Sequence, residues 1–175
     1  MILSLSDEQR DLQELVRGFV EETSPSAAVR RAMETESGFD ALLWKRMAEE
    51  VGLQSVAIPE ERDGQGLGLA EVAIVCRELG RRLVCAPYLS TVVLAGSVVE
   101  PVATGTLREE REGASANAGV LALAAPADRA APTVRAHATS DGYRLSGLAP
   151  HVVDGHTASR IVALAHAGDL GRRRI

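Results

Sequence analysis

The adjacent carboxylate pairs Glu60-Glu61 and Glu109-Glu110 are groups able in principle to serve as acid and base. Side chains that follow one another along a backbone do not converge on one proton, so both pairs read as solvated charge. His137, His151, His156 and His166 carry imidazoles, side chains able to bind a metal or move a proton. None stands at ligand spacing from a cysteine or carboxylate, and no metal site is expected. Cys76 and Cys85 lack the paired spacing of a zinc centre and are too few for a disulfide framework, which predicts reduced thiols in a cytoplasm. The sequence GQGLG from Gly64 to Gly68 precedes a helical pattern, where backbone N–H groups can receive an anion. Its spacing differs from the dinucleotide fingerprint, and no Lys-Ser/Thr pair follows as in a phosphate-binding loop, so it reads as a structural turn. No nucleophile elbow or Ser/His/Asp arrangement is present, and no catalytic residue is assigned.

The chain that must position these groups is acidic but not extreme. Its net charge of −5 and its 3% aromatic content argue against a stacking surface for nucleic acid. The charge is divided: residues 1–119 hold 12 Lys+Arg against 20 Asp+Glu, and residues 120–175 hold 7 against 4. Arg172, Arg173 and Arg174 form the one basic cluster, which reads as a solvated terminus. With 46% apolar residues, burial can offset chain entropy; no apolar run is long enough to span a bilayer.

Helical periodicity dominates the first two thirds. Ser6 with Gln9 predicts a capping box, and Leu12, Leu15, Val16, Phe19 and Val20 share the face that follows. Ala27 to Met33 reads as a short second helix. Phe39 and Trp44 flank Asp40 as a hydrophobic staple flanks a cap, with Trp44 predicted in the core. Gly52 closes that third helix, and Pro59 prevents its return. Leu69, Val72, Ala73, Cys76 and Leu79 predict one buried face of a fourth helix. Pro87 introduces YLSTVVLAGSVVE, apolar nearly all round, as a helix buried between others, and Thr106 with Glu109 suggests a further cap.

From Val120 the pattern alternates. Val120 to Ala124 reads as a strand, and Val134, Ala136 and Ala138 mark one face of another. Asp141-Gly142 predicts a type I′ hairpin turn back into Tyr143 to Leu145, and Arg160 to His166 suits one more strand. The fold class expected is therefore mainly α: an up-and-down helical bundle over residues 1–112, a linker at 113–119, and a short, incomplete antiparallel β-domain over 120–175.

The order Trp44, Met47, Ala48, Glu49, Gly52, Leu53, then Pro59, Glu60, Glu61, Gly64, Gly66, Leu67, Gly68, then Glu78, Leu79, Gly80 resembles the helical N-terminal domain of the acyl-CoA dehydrogenases. Leu121, Leu123, Pro126, Tyr143, Leu145, Gly147, Gly155, Ala158 and Val162 resemble the framework of the β-domain that follows it. The resemblance implies FAD as cofactor, acyl-CoA as substrate, oxidation at Cα–Cβ, and assembly with the same or another dehydrogenase subunit. It places flavin contacts at Leu123, Ala124, His151 and Val153, where this chain lacks the polar side chains of the family's Thr-Glu and Trp-Ile-Thr segments. It places an acyl-tail wall at Leu89, Ser90, Thr91 and Val92. The family's catalytic glutamate belongs to a C-terminal helical domain beyond these residues, so the chain alone is expected to be inactive: a truncated flavoprotein relative, or a non-catalytic partner packed against a complete dehydrogenase.

Overall fold

The structure, a computed structural model, describes residues 4–102, 118–125 and 133–167. The predicted cap at Thr106, most of the 113–119 linker, the stretch from Ala127 to Ala131 and the three terminal arginines lie outside the described residues. The bundle begins with α1 (Asp7–Thr23), α2 (Ser26–Met33) and α3 (Ala41–Glu49). Single-turn 3-10 segments at Leu53–Ser55 and Glu60–Arg62 lead to α4 (Leu69–Arg81). A π-helical segment, Leu89–Ala95, then runs directly into α5 (Gly96–Val102).

The predicted caps are present. Gln9 N–H donates to Ser6 Oγ at 3.2 Å while Ser6 N–H donates to Gln9 Oε1 at 3.1 Å, which satisfies donors that the first turn leaves without helical partners. Asp40 Oδ1 accepts from the N–H groups of Leu42 and Leu43 at 2.9 and 3.1 Å. Gly52 has φ of 70°, the left-handed turn that ends α3.

The core joins Val16 and Val20 of α1, Trp44 and Met47 of α3, and Val75 of α4. Trp44 is 1% exposed, as its staple position predicts. Two predicted faces are corrected. Leu15 is exposed, and α4 buries the predicted Val72 and Leu79 together with Ile74, Val75 and Glu78, with Cys76 packed against the core, while the predicted Leu69 and Ala73 are exposed. The same helical period fits both readings of α4, but starting at Val72 leaves Leu69 at the helix mouth, 75% exposed beside a cleft. The expected plain helix after Pro87 is the π-helical segment, with Ser90, Thr91, Val92 and Ala95 buried, but Leu89 51% exposed.

Five strands follow: β1 (Leu121–Ala124), β2 (Val134–Thr139), β3 (Gly142–Ser146), β4 (Arg160–Ala163) and β5 (Ala165–Ala167). Only β2 and β3 pair antiparallel; β1 pairs with β4 and β2 with β5 in parallel. The single strand expected over 160–166 is thus divided at Leu164 between two sheets. The hairpin exists, but Thr139 pairs with Gly142, so its loop is Ser140-Asp141 and neither residue has positive φ. It is therefore not type I′, which requires positive φ at both loop positions. No helix among the described residues is long and apolar enough to cross a membrane.

Candidate functional site

The glycine loop is closed to anions by its own backbone. The N–H groups of Gly64, Gln65, Gly66 and Leu67 donate to the carbonyls of Pro59, Ser55, Ile58 and Val56, at 2.8 to 3.1 Å. Gly68 N–H donates to Glu71 Oε2 at 2.9 Å. With these donors engaged, the loop is the structural turn its spacing predicts. Gly64 is required there because a Cβ would overlap the Ile58 carbonyl, and Gly66 because its φ is 64°.

That turn delivers Leu67 and Gly68 to one wall of a cleft of about 540 Å³. Ala57, Leu69 and Val72 complete this wall, and Val92, Val93, Gly96 and Ser97 form the opposite one. Both walls are apolar except near α5, where Glu100 also faces the cleft. Its carboxylate is paired with the guanidinium of Arg62, and the two side chains are 25% and 19% exposed. A cleft of this volume and lining suits an apolar ligand.

Of the four residues predicted to line an acyl tail, Val92 lies on the cleft and Leu89 is exposed. Ser90 and Thr91 are buried and do something else: they dock the strands. Ser90 Oγ is 2.6 Å from Asp154 Oδ2 and also donates to Pro87 O at 3.0 Å. Thr91 Oγ1 accepts from Leu121 N–H at 3.1 Å and donates to Leu121 O at 3.3 Å. The helix that forms one cleft wall thereby grips both β1, which continues to Leu123 and Ala124, and the loop that holds His151 and Val153. Two sets of residues predicted separately share one support.

The positions predicted to contact a flavin offer little to a ring. Ala124 is buried in β1 beside Ala163, and Leu123 is half-buried beside Val162. Val153 is 42% exposed, and His151 sits exposed in a left-handed turn with φ of 59°. Leucine, alanine and valine side chains donate no hydrogen bonds, leaving one exposed imidazole as the whole side-chain donor set. These residues do not fit a flavin ring through their side chains. Among the described residues no three His, Cys, Asp or Glu side chains come together to hold a metal ion.

Sequence reasoning passed over Glu78 except as part of a motif. It is fully buried, and its carboxylate receives Gln13 Nε2 at 2.8 Å, Arg17 Nε and Nη2 at 3.2 Å each, and Arg81 Nε at 2.8 Å. The Arg17 hydrogen bonds, reinforced by Arg81 and Gln13 against the cost of burial, hold its pKa down to about 2. Gln9, Gln13, Arg17 and Glu21 recur every four residues on α1, and each bonds to a residue of α4. That period was the available signal.

The family Acyl-CoA dehydrogenase, N-terminal domain, matches residues 6–112. Acyl-CoA dehydrogenase IpdE2 of Mycolicibacterium smegmatis is 41% identical over 110 residues, 63% of this chain and 35% of the relative. A variant of the Tcur3481-Tcur3483 steroid ACAD superposes with a TM-score of 0.83 at 30% identity, over 95% of this chain and 46% of the other. The ChsE4-ChsE5 complex from Mycobacterium tuberculosis gives 0.81 at 28% identity, over 95% and 46%. The chain thus spans less than half the length of these relatives. With the capped bundle, the glycine turn and the strands docked on the helix after Pro87, this match establishes that the chain belongs to the acyl-CoA dehydrogenase family.

Proposed function

We propose that this chain supplies the helical wall of an acyl-binding cleft in the FAD-dependent oxidation of an acyl-CoA thioester, and has no such activity alone. The carrying observation is the contrast between a formed apolar cleft and flavin positions without hydrogen-bonding side chains apart from His151. Two carboxylates at this end of the bundle are also committed: Glu71 to Gly68 N–H and Gln9, and Glu100 to Arg62. A general base needs a carboxylate held within reach of the proton it removes, and these bonds tie the carboxylates down elsewhere.

A second reading, association with a complete dehydrogenase subunit, is favoured by Tyr143, Leu145, Leu148, Ile161 and Leu164, which expose apolar surface on the β part. Apolar side chains left exposed along strands are available for burial by a partner. Relatives whose structures carry paired names, ChsE4-ChsE5 and Tcur3481-Tcur3483, support a heteromeric assembly. The compartment proposed is the cytoplasm, in keeping with unpaired Cys76 and Cys85. The test is the flavin absorbance and acyl-CoA turnover of the purified chain, alone and co-purified with an acyl-CoA dehydrogenase from the same genome. A colourless, inactive chain that joins an active yellow complex is expected. A chain that is yellow alone and bleaches on addition of acyl-CoA overturns the reading.

A further inference from the structure

The sheet formed by β3, β2 and β5 has two faces of opposite character. Directly opposed residues share a face, so the register places Arg135 between His166 and Ser146, and His137 beside Arg144. Thr139 and Gly142 complete this face, which holds no acidic residue. Ala136, Ala138, Tyr143 and Leu145 lie on the other, apolar face. Arg135, His137, Arg144 and His166 are all exposed, and their side chains have no partner among the described residues.

Such a face suits an anionic partner, and its shape narrows the choice. A flat sheet offers a small anion no concavity. A nucleic acid would bring its charge against a chain that is itself −5 overall. A protein surface that is acidic only locally meets neither obstacle, and this chain carries one. On α1, Asp11, Glu14, Leu15 and Gly18 follow at three- and four-residue steps, on the side away from the buried Val16 and Val20. Asp11 and Glu14 are exposed, their carboxylates have no partner among the described residues, and Leu15 beside them is 56% exposed. Nothing lies within 4 Å of a Cβ at Gly18, so the fold gives no steric reason for a residue that weakens a helix interior. Its bare backbone lets a second surface come close. The spacings also correspond. Arg135 and Arg144 are diagonal neighbours, about 7–8 Å apart at Cα, and Asp11 and Glu14 stand about 5–6 Å apart at Cβ, a difference that arginine side chains span.

We propose that the Arg135–Arg144 face of one copy docks on the Asp11–Glu14 face of α1 in a second copy, one guanidinium to each carboxylate. The two faces are different patches of the same chain, so the contact is head-to-tail. Three strands of at most six residues make a small interface, and the association is therefore weak and dependent on charge.

Sedimentation velocity of the full chain, over a concentration series at about 0.1 M and about 1 M NaCl, reads this contact directly. At the lower salt the weight-average mass should rise with concentration; at the higher, where the screening length falls from about 10 Å to about 3 Å, association should weaken roughly tenfold or more. Arg135→Glu with Arg144→Glu, and separately Asp11→Lys with Glu14→Lys, should each give a monomer whose circular dichroism and Trp44 emission match wild type. Mixing the two reversed variants should restore association, because each then finds a complementary face on the other. A wild type that stays monomeric, or reversed variants that associate as wild type does, overturns the contact. A mass that rises with salt overturns it too, and assigns association to the apolar face of the sheet. If Arg135→Glu with Arg144→Glu loses a co-purified dehydrogenase while self-association is unchanged, the basic face belongs to that subunit and the contact between copies is refuted.

Discussion

Arg17 and Glu78, 61 residues apart in sequence, join α1 to α4 through two hydrogen bonds of 3.2 Å to a carboxylate with no exposed surface. Arg17 itself is 41% exposed, so the bridge runs from the solvent edge of the seam into its floor. A carboxylate so placed is stabilising only while its donors remain.

Glu78→Gln should therefore lower the unfolding free energy by about 2 kcal/mol at neutral pH, the scale of hydrogen bonds to a charged group whose partners are partly solvated. The pH dependence has a definite sign. Because the folded-state pKa is depressed, the contribution is fully present above the ordinary glutamate value and is lost as pH falls from about 4.5 to about 2. Urea denaturation across that range should show wild type losing stability toward the variant; parallel curves would refute the assignment.

Trp44 should emit at short wavelength in the native protein, since its ring is 1% exposed and it is the one tryptophan in the chain. Unfolding should move the emission to the red in step with the loss of helical circular dichroism. A native spectrum typical of water-exposed indole would contradict the packing of α3.

Thr91→Val keeps the shape of the side chain but removes both bonds to Leu121. The Leu121 N–H is then left without its 3.1 Å acceptor in a buried setting, at a cost of about 1–3 kcal/mol. Hydrogen exchange should show the Leu121 amide losing protection while amides of α1 keep theirs. Unchanged protection at Leu121 would mean that the strand is held by other contacts.

Gly64→Ala should be among the most destabilising single-methyl additions in the bundle, because the added Cβ overlaps the backbone of Ile58, which cannot swing away as a flexible side chain would. A loss of about 2 kcal/mol or more is expected in thermal or chemical unfolding. Gly80→Ala is the control: nothing lies within 4 Å of a Cβ there, and a helical glycine replaced by alanine should be stabilising.

The elements that the sequence made legible are those whose cause is local. Ser6 with Gln9, Asp40 before Leu42, and Gly52 after α3 are each satisfied by neighbours within a few residues, so spacing alone reveals them. Long-range partners were illegible for the same reason. Nothing in the residues of β1 states that β4, 39 residues later, will lie parallel to it, and nothing around Glu78 names Arg17. The acyl-wall residues were half legible: Val92 faces the cleft, but Ser90 and Thr91 carry hydroxyls whose partners, Asp154 and Leu121, appear only once the strands have folded onto the helix. The cleft's Glu100 and Arg62 were missed because 38 residues separate them and neither stands in a recognisable pattern.

The π-helical turn at Leu89–Ala95 acts as a phase shifter for everything after it. Its i→i+5 bonds take more residues per turn than the i→i+4 bonds of an α-helix, so Gly96, Ser97 and Glu100 emerge rotated about the helix axis relative to a regular continuation. One continuous rod can thus present hydroxyls to the strands over its first turn and a carboxylate to the cleft over its last. Single-residue deletions between Leu89 and Ala95 would reset that rotation, turning Glu100 away from the cleft without altering any residue that lines it.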